Sequence, residues 1–153
     1  MNTVANTAFV RPLVMTPTAA PTAEIHGPDL IIDRIVPSNS FPHSGDAVYF
    51  NVHVKNVGDQ AAAPFTLNLT TTGVDQNARA RQGLEAGGKA CFNGMGPLWT
   101  GFGGSMEWVR ADVDTKNEVA EKNEDNNYMM TTISVQADPF PPGGPGPGPF
   151  PPH

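Results

Sequence analysis

The chain has 153 residues, with 16 Gly, 16 Pro, a single Cys and a formal net charge of −6. That length suits one domain. No run of about 18 apolar residues is present to cross a membrane as a helix, one cysteine excludes an internal disulfide or a cysteine-based zinc cluster, and the acidic balance makes nucleic acid and anionic membrane poor partners.

The charges are unevenly placed. All 15 acidic residues, and every basic residue except Arg11, lie between Glu24 and Asp138. Three segments follow: an arm over 1–23, a folding unit over 24–138 and a tail over 139–153. The arm is rich in Thr, Ala and Pro and has no helical period, which predicts an extended segment. Its apolar groups Phe9, Val10, Leu13 and Val14 have something to bury. The start lacks the apolar core of a secretion leader.

Within the unit, apolar residues alternate with polar ones. Asp29 to Val36 gives a first apolar run, ending at Pro37. Val48, Phe50, Val52 and Val54 form one set, Phe65, Leu67 and Leu69 the next. Val109, Ala111 and Val113 follow, then Met129, Thr131, Ile133 and Val135. Period two marks half-buried antiparallel strands. Turn residues punctuate them at Ser44-Gly45-Asp46, Val57-Gly58-Asp59, Thr72-Gly73, Ala86-Gly87-Gly88 and Asp125-Asn126-Asn127. The fold class is therefore all-β, an antiparallel immunoglobulin-like β-sandwich of about seven strands with extended N- and C-terminal arms. Phe50, Val52, Val54, Leu67, Leu69, Val113 and Ile133 are expected in its core. Cys91 reads as a small buried hydrophobe.

The tail holds 8 Pro and 4 Gly in 15 residues, so neither a helix nor a central strand can form there. A polyproline-like form is expected, with Phe140 and Phe150 as anchors.

Several blocks stand in a recognisable order. Pro28-Asp29-Leu30-Ile31-Ile32 comes first, then Ser44-Gly45-Asp46, Lys55-Asn56-Val57-Gly58 and Gly83-Leu84-Glu85-Ala86-Gly87-Gly88. Ala111-Asp112-Val113-Asp114, Asn117-Glu118-Val119-Ala120-Glu121 and Asn123-Glu124-Asp125-Asn126-Asn127 close the series. Over about residues 28–136 the chain resembles the CARDB domain, the cell-adhesion-related domain found in bacteria. The resemblance implies a seven-stranded immunoglobulin-like fold of surface and extracellular proteins, without catalytic activity. The long glycine-rich segment from Phe92 to Trp108 departs from the family pattern.

Candidate chemistry is sparse. The acid-rich stretch from Asp112 to Asp125 has two readings: a structural hairpin, or a calcium site using Asp112, Asp114, Asn117 and Glu121. The EF-hand pattern fails, because with Asp112 as position one, Asn117 replaces the Gly at six and Asn123 the Glu at twelve. The hairpin is favoured, and no other cofactor is expected. His26, His43 and His53 share no metal-ligand spacing. No nucleophile, acid–base or phosphate-loop motif occurs in its proper context, so the chain is not expected to be an enzyme.

Trp99, Phe102 and Trp108 flank the glycine-rich segment. They either cap an open end of the sandwich or form an exposed aromatic loop that stacks on sugars or anchors a protein. Two functions follow. The first is a structural surface protein, a fibre subunit or a virion or particle decoration protein, oligomeric or assembly-bound, whose arms contact neighbouring subunits. The second is an adhesion or glycan-binding module using the aromatic loop. Both place the chain on an extracellular or virion surface.

Overall fold

A computed structural model describes residues 12–13, 17 and 19–137. Seven strands follow one another: β1 Leu30–Pro37, β2 Ala47–Asn56, β3 Phe65–Thr71, β4 Val74–Ala80, β5 Lys89–Trp99, β6 Met106–Val113 and β7 Tyr128–Ser134. They form two antiparallel sheets, one ordered β1-β2-β5 and the other β4-β3-β6-β7.

Side-chain parity builds the core. Val48, Phe50, Val52 and Val54 turn inward from β2, and Leu67 and Leu69 from β3; all are fully buried. Val109, Ala111 and Val113 of β6 and Ile133 of β7 line the same inner face as the β3 residues, opposite those of β2. Every residue expected in the core from period two lies there. At roughly 1.5–3 kcal/mol for each large side chain, this interface is the main stabilising layer.

Two strands lie where the alternation was not visible. β4, VDQNARA, is an edge strand with a largely exposed burial pattern. β5 takes up much of the glycine-rich segment expected to depart from the family pattern, leaving only residues 100–105 as a loop before β6. Its pairing with β2 shifts register twice, between Val48 and Phe50 and between Phe50 and Val52. Gly94 and Gly96 take φ of 67° and 125° there, values that favour glycine.

Cys91 is exposed rather than buried. It pairs with His53 on the outer face, while its neighbour Phe92 pairs with the buried Val52. Parity along β5 thus turns the thiol to solvent. Of the residues assigned to the two arms, Leu13 is exposed; Phe9, Val10, Val14, Phe140 and Phe150 lie outside the described residues.

Candidate functional site

The β6–β7 connection gathers the acids. Asp114 leaves β6 in a left-handed conformation, φ 51°, and is buried. Its carboxylate accepts the amides of Glu118 (2.8 Å) and Val119 (2.9 Å), and its carbonyl accepts that of Asn117 (2.9 Å). Asn117 is also left-handed, at φ 53°, a conformation Asn tolerates better than most residues. This tight turn drives Val119 into the core.

Glu118 accepts from Thr66 Oγ1 (2.7 Å) and Arg79 Nη1 (2.6 Å). Those two bonds, the threonine's first, hold its carboxyl below the usual range. Glu121 accepts the backbone amide of Leu30 and, at 3.0 Å, Asn127 Nδ2. Glu124 accepts the Glu121 amide at 2.9 Å.

Carboxylate oxygens of Asp114, Glu121 and Glu124 lie within 4.8 Å of one another. Burial, then the charges of Glu124 and Asp114, push the Glu121 carboxyl up to about 7, against the opposing bonds from Leu30 and Asn127. Such a cluster can take up a proton or a hard cation, since either relieves the repulsion.

The cluster differs from the calcium set read in the sequence. Asp112 is drawn off by a forked ion pair with Arg110, Nε to Oδ1 2.9 Å and to Oδ2 2.8 Å. The two side chains lie two residues apart on one face of β6, and the Arg110 guanidinium also stacks over the Tyr128 ring at 4.5 Å. Asn117 contributes its backbone amide to the turn. Asp114 and Glu121 remain, joined by Glu124, which sequence reasoning passed over; its place three residues beyond Glu121 in an acid-rich loop was the available signal.

The three loop aromatics do not come together. Trp99 points opposite to the buried Leu98, onto the outer face of the three-stranded sheet. Trp108 sits within β6 rather than in a loop and points opposite to the buried Val109, onto the outer face of the other sheet. Phe102, in the connection between them, is 87% exposed. Beside Trp108, the outward positions of β6 and β7 add Met106, Tyr128 and Met130, all exposed.

Near the opposite end, Asn56 is fully buried. Its Nδ2 donates to the carbonyls of Gln60 (2.8 Å) and Leu84 (2.9 Å), and its Oδ1 accepts the amides of Asp29 and Gly58, each at 3.0 Å. One side chain thereby joins three chain segments. Its inward parity, followed by Val57-Gly58, was the sequence signal for it.

Comparisons bear on this arrangement. The CARDB family model matches residues 27–131. The solved CARDB domain of the PF1109 protein from Pyrococcus furiosus, in complex with di-metal ions, is 25% identical, with a TM-score of 0.59 over 75% of this chain and 99% of that one. A domain from a Methanosarcina acetivorans protein described as a cell surface protein is 22% identical, with a TM-score of 0.55 over 71% of this chain and 91% of that one. No curated protein matches. CARDB is a non-catalytic domain. The match covers six of the seven strands entirely, reaches into β7 and includes both the Asn56 junction and the acidic connection, and on that basis the chain belongs to the CARDB family.

Proposed function

We propose that the chain is a non-catalytic structural module of a surface, a fibre subunit or a virion or particle decoration protein, that reaches neighbouring subunits through its terminal arms. Its surface carries this reading. Leu13 in the N-terminal arm is 86% exposed, so the described residues give it little cover. Apolar groups of this kind are stabilised by burial against a partner. Membership of a cell-adhesion-related family supports the surface location. Sedimentation velocity of the full chain and of a chain lacking residues 1–23 tests it. Concentration-dependent assembly that the deletion abolishes is expected. Identical profiles for the two chains overturn the reading, and binding to a glycan array that depends on Trp99 and Phe102 replaces it with the glycan-binding module.

A second reading concerns the acidic connection. The convergence of Asp114, Glu121 and Glu124, together with the metal-bound state of the Pyrococcus relative, favours a divalent cation there. Calcium titration by calorimetry decides it: heat of binding that is lost in Glu124→Gln supports the site, and no heat refutes it.

A further inference from the structure

We propose that the free edge of β7 accepts the N-terminal arm of a second copy of this chain as an added strand, a step that rests on the assembly role of the arms.

The first observation is which backbone groups are unpaired. The Val113 amide donates to the Asn127 carbonyl (2.7 Å), and the Val135 amide to the Ser105 carbonyl (2.9 Å). Between those two bonds the antiparallel alternation assigns Met129, Thr131 and Ile133 to the ladder with β6. Tyr128, Met130, Thr132 and Ser134 therefore direct their amides and carbonyls away from the sheet. The next amide in that outward series, Gln136, donates to the Pro42 carbonyl at 2.8 Å, in a parallel bridge of His43 with Gln136. A neighbouring segment thus begins to pair with this edge. Among the described residues it goes no further.

The second observation is how the sheet edges differ. β1 carries a register shift around Asp33 and ends at Pro37. β5 has two register shifts and contains Pro97. β4 carries Asp75 and Arg79 and is bridged to β5 by the Gly96 amide, which donates to Gln76 Oε1 at 2.7 Å. Bulges, prolines and charges are the usual means of blocking an edge. β7, YMMTTIS, has no charge, no proline and unbroken register with β6. Beside it runs a groove of about 300 Å³, lined in part by Ile35, Pro37, Phe41, Thr131 and Ile133. Phe41 is exposed at its rim.

The arm fits this site in three respects. Its only charge is Arg11, whereas the rest of the chain carries all 15 acids, so arm and domain attract where two domains repel. Residues 1–10 contain no proline, enough to match the seven residues of β7, and Phe9 supplies a ring for the groove. At about 3.3–3.6 Å per extended residue the arm can span from one sandwich to the next. Added strands draw affinity from main-chain bonds and selectivity from alternate side chains. An arm-to-edge contact is head-to-tail, and it propagates as an open filament unless the rotation closes a ring.

Two variants separate donor from acceptor. Met130→Pro removes one outward amide without touching a β6 bond, as edge strands tolerate. Phe9→Asp spoils the arm and leaves the edge intact. By sedimentation velocity the full chain should assemble, and each variant alone should associate at least tenfold more weakly. A mixture of the two should form a one-to-one dimer and nothing larger, because one good arm meets one good edge. Circular dichroism checks the fold of Met130→Pro, and Thr132→Lys, outward and exposed, replaces it if that fold is lost.

Assembly that survives the edge variants but is lost on deleting residues 1–23 overturns this acceptor site and leaves the arm reading intact. Assembly that survives the deletion but is lost with the edge variants means that two β7 strands pair directly, and overturns both. A full chain that stays monomeric at every concentration also overturns both.

Discussion

The backbone amide of Leu30 donates to the Glu121 carboxylate, 91 residues away in sequence. The bond ties the start of β1 to the β6–β7 connection, and it puts a titratable group under the first strand. The Glu121 carboxyl titrates near 7 in the folded chain, against an ordinary value of 4.5. Between those values the folded chain keeps a proton that the unfolded chain has released. This group's contribution is therefore greatest below about pH 4.5, falls as pH rises through 7, and levels off above. Because Glu121 is only half-buried, the full shift is discounted to about 1 kcal/mol. Glu121→Gln should abolish the slope and be the more stable chain at pH 8. The glutamine keeps an acceptor for Leu30, and its amide can serve the buried Asn127 Oδ1, which has no partner among the described residues, once the Asn127 amide turns over. Urea midpoints at pH 5 and pH 8 measure this; equal slopes for both chains would refute it.

Asn56→Ala should be among the most damaging single changes. It strips partners from the amides of Asp29 and Gly58 and the carbonyl of Gln60 at once, and leaves the Leu84 carbonyl only the Ala62 amide at 2.8 Å. At about 1–3 kcal/mol for each group left buried and unpaired, with some regaining water, a loss of about 3–4 kcal/mol is expected. Gly58→Ala acts on the same junction: an added Cβ would lie 2.3 Å from the Gly27 carbonyl oxygen, a backbone atom that cannot swing aside. Chemical denaturation of both variants checks this, and a cost below about 1 kcal/mol in either would remove the junction from the chain's stabilising features.

Parity on β2 and β5 makes a paired prediction. Val52 is fully buried and Cys91, paired with His53, is exposed. Val52→Asp should prevent folding, since an unpaired buried charge costs several kcal/mol, comparable with a whole domain's margin. In the native protein the Cys91 thiol should react fully with a water-soluble thiol reagent without denaturant. A thiol that reacts only after unfolding would mean that the register of β5 is wrong.

How much could be read from the chain depends on how each strand is covered. β2, β3 and β6 each bury one face fully, so their apolar residues alternate cleanly and the core was legible. β4 lies at an edge and buries little, so VDQNARA carries no alternation. β5 does pack inward, but its bulges break the period just where Gly94, Gly96 and Pro97 suggest a loop. The acidic connection was visible as composition. Its partners were not: that Asp112 belongs to Arg110 follows from parity on β6, whereas the meeting of Glu121 with Leu30 depends on the packing of two sheets and leaves no local trace.

The strand order also sets a timetable. β3 is an inner strand that needs β6, and the start of β1 is held by Glu121, by the Lys122 amide on the Pro28 carbonyl (2.8 Å) and by Asn126 Nδ2 on Asp29 (2.8 Å). On the ribosome, at about 5–20 residues per second, the stretch between β3 and β6 takes seconds to emerge. Sandwiches of such non-local pairing fold in milliseconds to seconds once complete. For that interval the apolar faces of β2 and β3 wait uncovered, and protein quality control meets a half-built sandwich. Translation speed through residues 72–105, more than the search for the native state, governs how long that exposure lasts.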